Sequence, residues 1–151
     1  MVLLEDTRNK IGKHKNVHAY CVKHGIELVR ECLDVGDYIL PDGKISVDTK
    51  KDLSELATNL LNPQDKKRFM REVRRAREAG IQLVVLCEHG KGVKCLQDVA
   101  AWRSEYSPVT GRALLDAMYR VSVSYGVRFE FCSKRSTGKR IVEILEGEKK
   151  N

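Results

Sequence analysis

Residues 33–50 read LDVGDYILPDGKISVDTK, and this stretch sets the architecture that we predict for the chain. Two runs with strand character, residues 36–41 and 44–50, flank the dipeptide Asp42-Gly43. Asp-Gly between alternating apolar and polar residues is typical of a two-residue type I′ turn. The stretch therefore predicts an antiparallel hairpin whose register is set at Asp42-Gly43.

The predicted register divides the side chains of the hairpin between two different faces. Because side chains alternate along a strand, one face carries groups suited to a core: Tyr38, Leu40, Ile45 and Val47. The other face carries Asp37, Asp48 and Lys50, with Ser46 beside them and Asp37 directly opposite Asp48. Two opposed carboxylates repel unless a divalent cation, the Lys50 ammonium or a proton compensates them. An ordinary charged surface hairpin is the alternative interpretation, and a wider loop at Pro41 would break the Asp37/Asp48 pairing.

The rest of the chain mixes strand and helix patterns throughout. Further strands are predicted over residues 2–4, 26–33, 81–87 and 127–132. Helices are predicted over residues 14–24, 52–61, 63–80, 96–102, 112–125 and 137–145, the last one ending at Gly147. This order predicts an α/β protein, a three-layer α/β/α domain over residues 1–147 whose mixed central sheet contains the hairpin, followed by a disordered tail at 148–151.

Composition limits the classes of function. The chain has 151 residues, enough for one domain, and a net charge of +7 that favours a polyanionic partner. No apolar run approaches the ~18–20 residues of a membrane span, and the start of the chain does not resemble a signal peptide. Five scattered cysteines make a disulfide framework improbable. We therefore expect a cytoplasmic protein with reduced thiols and no membrane partner.

Other potential metal ligands give weaker signals. His14 and His18 have the i, i+4 spacing that two zinc ligands on a helix can use. Spacing places no third ligand, so a surface or DNA-facing pair is favoured. Cys87, His89 and Cys95 lack a partner CxxC motif, which favours core or loop thiols.

The hairpin and its flanks resemble the XPF-type nuclease domain of the PD-(D/E)xK superfamily. The pattern of that family is Gly-Asp, a variable turn, Glu-Arg-Lys and then an acidic residue. Gly36-Asp37 and Asp48-Thr49-Lys50 occupy those positions here. The segment Glu5-Asp6-Thr7-Arg8 is similar to the first strand of the family, with Asp6 at its acidic position, and the strand ending at Glu88 resembles the next core strand. The resemblance implies a restriction-endonuclease-like fold and is nearest to small stand-alone members from phages and bacteria.

Three departures from the family pattern bear on the site. Asp48 replaces glutamate, Thr49 replaces arginine, and Asn9 lies where an early glutamate of the family would fall. The trailing acid is either Asp52 or Glu55, depending on the length of the gap. No helix-hairpin-helix pattern is found in the chain, so DNA reading would rest on this domain, on dimerisation or on a partner.

The resemblance implies a divalent metal and a role for each matching residue. Asp37 and Asp48 would hold Mg²⁺, or Mn²⁺ in its place, with the Thr49 carbonyl as a further ligand and Asp6 completing the set. Lys50 would orient the attacking water or stabilise the developing charge. The catalytic residues implied are therefore Asp37, Asp48 and Lys50.

Basic residues provide candidate contacts for DNA. Arg68, Arg71 and Arg75 fall on one face of a helix, where a solvated face with internal salt bridges is the alternative. A second candidate patch near the last helix, for which plain capping by Thr137 or Ser136 is the alternative, comprises Lys134, Arg135, Thr137, Lys139 and Arg140. Arg8, beside Asp6, is a further candidate.

Together these features predict a metal-dependent DNA endonuclease without strong base preference. The resemblance implies a homodimer acting on branched or flap DNA with junctions between single and double strands. Two alternatives remain at this point: a catalytically weak DNA-binding subunit of a nuclease complex, and a basic RNA-binding domain. The RNA-binding alternative explains the charge but gives the opposed carboxylates no purpose.

Overall fold

The computed structural model describes residues 1–150, and for residues 148–150 the backbone only. The strands are β1 (Val2–Asp6), β2 (Glu27–Glu31), β3 (Tyr38–Ile39), β4 (Ile45–Lys50), β5 (Gln82–Cys87) and β6 (Arg128–Phe131). The α-helices are α1 (Lys15–Lys23), α2 (Leu53–Leu61), α3 (Pro63–Glu78), α4 (Gly111–Tyr125) and α5 (Thr137–Lys150). Two 3-10 turns, Leu96–Ala101 and Lys134–Ser136, precede α4 and α5.

The strands form one mixed six-stranded sheet in the order β2-β1-β3-β4-β5-β6. β3 is antiparallel to both neighbours, and the β1/β2, β4/β5 and β5/β6 pairs are parallel. Alternate residues of β5 enter opposite cores: Val84 and Leu86 pack with α1 and α5, whereas Leu83 and Val85 pack with α2, α3 and α4. The sheet is therefore covered on both faces, which confirms the predicted α/β/α architecture.

The hairpin has the predicted register but a different turn. Tyr38 pairs with Val47, as predicted, and both side chains are fully buried. The turn is closed by Gly43 N donating to Leu40 O at 2.9 Å, and Asp42 has a φ of 57°. Pro41 and Asp42 are thus its central residues, as in a type II turn, which accepts proline first and a positive φ second. The loop between the last paired residues, Ile39 and Ser46, is wider than predicted. It takes the same number of residues from each of the two strands, so the register of the remaining pairs is unchanged.

The starts of two helices are capped by side chains. The Asp52 side chain caps α2 by accepting from Glu55 N at 2.8 Å. Asn62 caps α3 by accepting from the two amides that follow Pro63, at 3.1 and 3.3 Å. Because both caps use the helix-start chemistry visible in the sequence, the break between α2 and α3 falls where it was predicted.

The last helix is longer than predicted. α5 continues through Gly147 to Lys150, so the predicted end at Leu145 is wrong. An interior glycine costs a helix only about 1 kcal/mol relative to alanine, and burial of Ile141 and Leu145 holds the helix on the sheet. For the tail predicted at 148–151, the side chains and the final residue lie outside the described residues.

Within the described part of the chain, none of the helices is both long and apolar enough to cross a membrane.

Candidate active site

Asp37 lies in the bend that leads into β3, at a position shaped by the preceding glycine. Gly36 has a φ of +72°, and an added Cβ would meet Ser46 Oγ at 2.2 Å. Only glycine fits here without displacing β4. Asp37 N donates to Val47 O at 2.8 Å, although Val47 is the partner of Tyr38, so the regular ladder stops before the predicted Asp37/Asp48 pair. Gly36 and this bond together hold Asp37 against β4.

The Asp37 carboxylate is buried, with 8% exposure, and accepts three hydrogen bonds. Oδ1 accepts from Asn9 Nδ2 at 2.7 Å. Oδ2 accepts from the Thr49 amide and the Thr49 hydroxyl, both at 2.8 Å. Thr49 therefore donates to the carboxylate from its side chain as well as from its backbone.

Asp48 and Lys50 form an ion pair beside Asp37. Asp48 is 6% exposed, and Lys50 Nζ lies 3.1 Å from its Oδ2. The ammonium also lies 5.9 Å from the centre of the Phe69 ring, within range of a cation–π contact. The ion pair lacks hydrogen-bond alignment, so within the described residues Asp48 Oδ2 is buried with no hydrogen-bond partner. Lys50 thus supplies only part of the compensation that the acidic pair needs.

The environments of the two acids shift their pKa values in opposite directions. Burial alone raises the pKa of Asp37, but the hydrogen bonds from Asn9 and Thr49 outweigh it and hold that pKa below its ordinary value. Burial raises the pKa of Asp48 well above its ordinary value, and the nearby Asp37 charge raises it further. Lys50 opposes that rise, and its own pKa is raised because attraction to Asp48 outweighs burial.

The donor set fits a hard divalent cation. Mg²⁺ usually takes one or two protein carboxylates and fills its shell with water and phosphate oxygens. Here Asp48 Oδ2 is a buried oxygen without a hydrogen bond, and Asp37 Oδ1 accepts only one. These oxygens belong to the two acids that the family pattern would use as ligands.

Asp6 is placed differently from its expected ligand role. Its Oδ1 accepts from Leu33 N at 3.0 Å, and its Oδ2 accepts from Arg8 Nε at 2.8 Å. Over the part of the chain that is described, no three His, Cys, Asp or Glu side chains are grouped so as to hold a metal ion. The ligands that lie together are Asp37, Asp48 and Thr49.

The two candidates for the trailing acid have different surroundings. Asp52 Oδ1 accepts the hydrogen bond from Glu55 N that caps α2. Glu55, one turn further on, lines a cleft of about 670 Å³ together with Thr49 and Lys51. Asp52 also lines a cleft, of about 260 Å³, but of the two candidates it is Glu55 that shares its cleft with Thr49 of the site.

Arginines predicted to bind DNA lie close to the acidic pair. A further cleft, also of about 260 Å³, is lined by four basic side chains and three acidic ones: Arg8, Arg68, Arg75, Lys50, Asp48, Asp65 and Glu72. A strand of nucleic acid in this cleft would place its phosphates within reach of both the arginines and the ion pair.

The arginine face of α3 is only lightly engaged by the protein itself. Arg68 is 76% exposed in its side chain and lies 3.9 Å from Asp65, a weak surface pair. Arg75 Nε donates to Asp34 O at 3.1 Å, and Arg71 is exposed. These side chains keep most of their donors available to solvent or to a ligand.

The second predicted DNA patch is divided by the structure. Lys134, Arg135 and Lys139 are exposed. Thr137 is 1% exposed and its Oγ1 donates to Glu88 Oε2 at 2.6 Å, so this hydroxyl is turned inward and not toward a phosphate. Arg140 is paired with Glu130. Only the exposed part of the patch is therefore free to meet DNA.

Two buried polar residues of the site were not predicted. Asn9, noted in the sequence only as a departure, is the donor to Asp37. His14 was expected at the surface, but it is 7% exposed and packs edge-on against Tyr38, with ring centres 5.6 Å apart. Helical periodicity in the sequence does not show which distant parts of the chain pack against a residue. No local signal therefore marks His14 as buried.

A buried carboxylate, Glu5, anchors the loop that carries Asn9. Glu5 has no exposed surface and accepts from Tyr38 Oη at 2.5 Å and from Arg30 Nη1 at 2.5 Å. His18 Nε2 lies 2.8 Å from Glu5 Oε2. Arg30 also donates to Asn9 O at 2.5 Å, which links this network to the donor of Asp37.

A mixed α/β/α sheet that presents two buried acids and a lysine from a bend and the adjoining strand defines the PD-(D/E)xK class of nuclease domains. The chain belongs to the ERCC4 domain family, which it matches over residues 6–145. This match confirms the resemblance seen in the sequence and supports a nuclease. No curated protein matches the chain.

Two solved structures share the fold. XPF from Aeropyrum pernix superposes with a TM-score of 0.72 at 18% sequence identity, covering 100% of this chain and 66% of that chain. XPF from Aeropyrum pernix in complex with DNA gives a TM-score of 0.70 at 21% identity, covering 99% of this chain and 65% of that chain. The chain thus spans just under two thirds of each of these structures.

Proposed function

We propose that this domain is a metal-dependent endonuclease that hydrolyses phosphodiester bonds in branched or flap DNA. The observation that carries the proposal is the buried pair Asp37 and Asp48 with Lys50, in which one acid retains a buried oxygen without a hydrogen bond. That oxygen lies 3.1 Å from the Lys50 ammonium, yet the pKa of Asp48 stays well above its ordinary value because of burial and the nearby Asp37 charge, so a divalent cation would relieve a repulsion that Lys50 alone does not. Membership in the ERCC4 domain family supports the same reaction class.

Each residue of the site then has a distinct role. Asp37, Asp48 and the Thr49 carbonyl would hold Mg²⁺ or Mn²⁺; when bound, such an ion polarises the phosphate and lowers the pKa of its water. Lys50, whose pKa is raised, stays protonated and would stabilise charge that develops on the phosphate or orient the water. Asp6 and the trailing acid, for which we favour Glu55 over Asp52, would act through water molecules.

The same proposal extends to substrate and assembly. The arginine-lined cleft beside Asp48 supports backbone contacts that do not depend on base sequence. Arg8, Arg68 and Arg75 would contribute there, and the exposed Arg71 and the exposed part of the second patch would extend the contact. A homodimer, expected from the family resemblance, would supply a second such surface. All five cysteines are free, which suits the reducing cytoplasm.

The test is a cleavage assay on flap, splayed-arm, four-way and linear duplex DNA, each with Mg²⁺, Mn²⁺ or EDTA. Asp48→Asn keeps the shape of the side chain and should abolish cleavage. Asp42→Asn, the same change at an exposed turn residue with a φ of 57°, is the matched control and should cut as the wild type does. Absence of cutting by the wild type with either metal would overturn the proposal.

One observation favours a second candidate, a DNA-binding subunit with a weakened site. The side chain at the position of the early family glutamate is the Asn9 amide, which donates to Asp37 and cannot bind a cation with a carboxylate. In that case, and equally for an RNA-binding domain, alanine at Asp37 and Asp48 should preserve or increase nucleic-acid affinity. An endonuclease should instead show Mn²⁺ binding that alanine at Asp37 weakens and alanine at Asp48 removes.

A further inference from the structure

Arg30 fastens the segment that follows β1 and carries Asn9. It lies on the edge strand β2, directly opposite Glu5 in the register of the β1/β2 pair. Its Nη1 donates to Glu5 Oε1 at 2.5 Å, and its Nη2 donates to Thr7 O at 3.3 Å and to Asn9 O at 2.5 Å. One guanidinium thus contacts alternate positions of the chain from β1 to Asn9.

The guanidinium of Arg30 is itself held in place by a buried group. Glu5 has no exposed surface, and its other oxygen, Oε2, lies 2.5 Å from Tyr38 Oη and 2.8 Å from His18 Nε2. The Arg30 side chain is only 26% exposed. Because a carboxylate that is fixed on both oxygens holds Nη1, the planar guanidinium presents Nη2 to the carbonyl of Asn9 in a fixed direction.

Asn9 transmits this constraint to Asp37 through its side chain. Asn9 Nδ2 donates to Asp37 Oδ1 at 2.7 Å, and Asn9 Oδ1 accepts from Lys13 Nζ at 3.3 Å. The side-chain amide is therefore oriented with its donor toward the carboxylate. In the main chain, Asn9 N donates to Asp6 O at 3.3 Å, so the bond that Asn9 O accepts from Arg30 is the shorter of these two.

A lysine in place of Arg30 could not make the same contacts. The lysine ammonium is a compact point charge, whereas the guanidinium carries five donors in a planar fork. The acceptors of Arg30 are one carboxylate and two main-chain carbonyls at different positions of the chain. A lysine could compensate the charge of Glu5, but it would leave the carbonyl of Asn9 without its donor. The fork is therefore the property that couples Asn9 to the buried anchor.

We infer that Arg30 is a positioning residue for the candidate active site: through Asn9, it sets where the Asp37 carboxylate offers its oxygen to the metal ion. The inference rests on the proposed function for the metal, whereas the effect of Arg30 on Asn9 does not depend on it. Removing a group that orients a metal ligand typically lowers metal affinity about 10–100-fold. We expect a loss in this range when the fork of Arg30 is removed.

The first test observes Asn9 directly by NMR, in EDTA and without metal. In Arg30→Lys the side-chain NH₂ signals of Asn9 should shift and exchange faster with water, while those of Asn62, the cap of α3, remain in place. Arg128→Lys is the matched control, the same change on the opposite edge strand, where Arg128 is paired with Glu130. It should move neither set of signals. Unchanged Asn9 signals in Arg30→Lys would overturn the inference.

The second test measures Mn²⁺ affinity by calorimetry on the folded variants. Arg30→Lys should bind Mn²⁺ about 10–100-fold more weakly than the wild type, and Arg128→Lys should bind it as the wild type does. If Arg30 acts through Asn9, combining Arg30→Lys with Asn9→Ala should weaken binding no further than Asn9→Ala alone. A purely structural role would lower stability in urea and leave the affinity of the folded protein unchanged. That result, or losses that multiply in the double variant, would contradict the inference.

A second variant keeps the test decisive if Arg30→Lys does not fold. Arg30→Met combined with Glu5→Gln removes both charges of the pair and every donor of the guanidinium, and Glu5→Gln alone is its reference. Relative to that reference, the combined variant should show the same change in the Asn9 signals and the same loss of Mn²⁺ affinity. Equality with the reference in either measurement would overturn the inference.

The two proposals can fail separately in these experiments. If the wild type binds Mn²⁺ and cuts DNA but Arg30→Lys matches Arg128→Lys in both measurements, the role of Arg30 is overturned and the nuclease proposal stands. If the wild type neither binds Mn²⁺ nor cuts, yet the Asn9 signals move in Arg30→Lys, the nuclease proposal is overturned and Arg30 still positions Asn9 against Asp37.

Discussion

Asn9→Asp tests how Asp37 is held, because it replaces the donor to that carboxylate with a second acid of the same size. In the structure Asn9 Nδ2 lies 2.7 Å from Asp37 Oδ1, and Asn9 is 8% exposed. Losing a hydrogen bond to a charged group costs about 1.5–3 kcal/mol. Repulsion between the two buried acids adds roughly 1–2 kcal/mol before one of them takes up a proton. We therefore expect the free energy of unfolding without metal to fall by about 2.5–5 kcal/mol.

The assay is thermal unfolding followed by circular dichroism in EDTA over a range of pH. For a chain of this size the loss corresponds to a Tm lower by about 5–20 °C. The new pair binds a proton more tightly in the folded than in the unfolded state, so the stability of the variant decreases as pH rises above the ordinary carboxylate pKa. The deficit should be small at acidic pH and largest at neutral pH, and Mn²⁺ should recover part of it.

Asn62→Asp is the matched control for the same chemical change. Asn62 caps α3 through its side-chain oxygen, which aspartate also provides, so its stability should stay within about 0.5 kcal/mol of the wild type. If Asn9→Asp is as stable as this control at neutral pH in EDTA, the hydrogen bond to Asp37 does not hold the carboxylate as the structure indicates.

Three further predictions concern the surroundings of the site. Tyr38→Phe removes the hydroxyl 2.5 Å from the buried Glu5 carboxylate and should lower the free energy of unfolding by about 1.5–3 kcal/mol, measured by urea denaturation. Gly36→Ala would place a Cβ 2.2 Å from a serine oxygen at a φ of +72° and should cost more than about 2 kcal/mol; Gly25→Ala, at +66° with nothing within 4 Å, should cost about 1 kcal/mol. Because the pKa of Asp48 is raised, Mn²⁺ affinity measured by calorimetry should increase by up to about tenfold per pH unit below that pKa, and proton release should accompany binding. An Mn²⁺ affinity that does not change with pH, or binding without proton release, would contradict this prediction.

Most of the architecture was predictable because its signals are local. The hairpin register follows from side-chain alternation, and it survived a wrong turn assignment because the loop widened equally on both sides of the Asp42-Gly43 dipeptide. The break at Asn62-Pro63 was predictable because asparagine caps and proline begins a helix. The end of α5 was not, because burial of Leu145 and its neighbours outweighs the low helix propensity of Gly147.

The site was predictable only where the family pattern supplies it. One short stretch of sequence contains Gly36, Asp37, Asp48 and Lys50. The pairing of β3 with β4 brings the two ends of that stretch together. Asn9 reaches Asp37 across 28 positions of sequence, and no periodicity encodes such a contact. Asp6 matched the family position but has both oxygens occupied by neighbouring donors, a detail that only side-chain geometry reveals.

The two departures from the family pattern that seemed to weaken the site act on the same carboxylate. Thr49, at the position of an arginine, gives Asp37 an amide and a hydroxyl, and Asn9, at the position of a glutamate, gives it a third donor. Together they replace the missing positive charge with hydrogen bonds, and they hold the pKa of Asp37 below its ordinary value despite its burial.

An ionised Asp37 then raises the pKa of Asp48, so the pair is asymmetric before any ligand binds. The asymmetry implies an order of events: Asp37 offers a charge that is already in place, whereas Asp48 must lose its proton as the cation enters. Asp37→Asn should therefore lower the pKa of Asp48 and weaken metal binding without abolishing it. If Asp37→Asn instead eliminated Mn²⁺ binding while Asp48→Asn retained it, the assignment of the open ligand to Asp48 would be wrong.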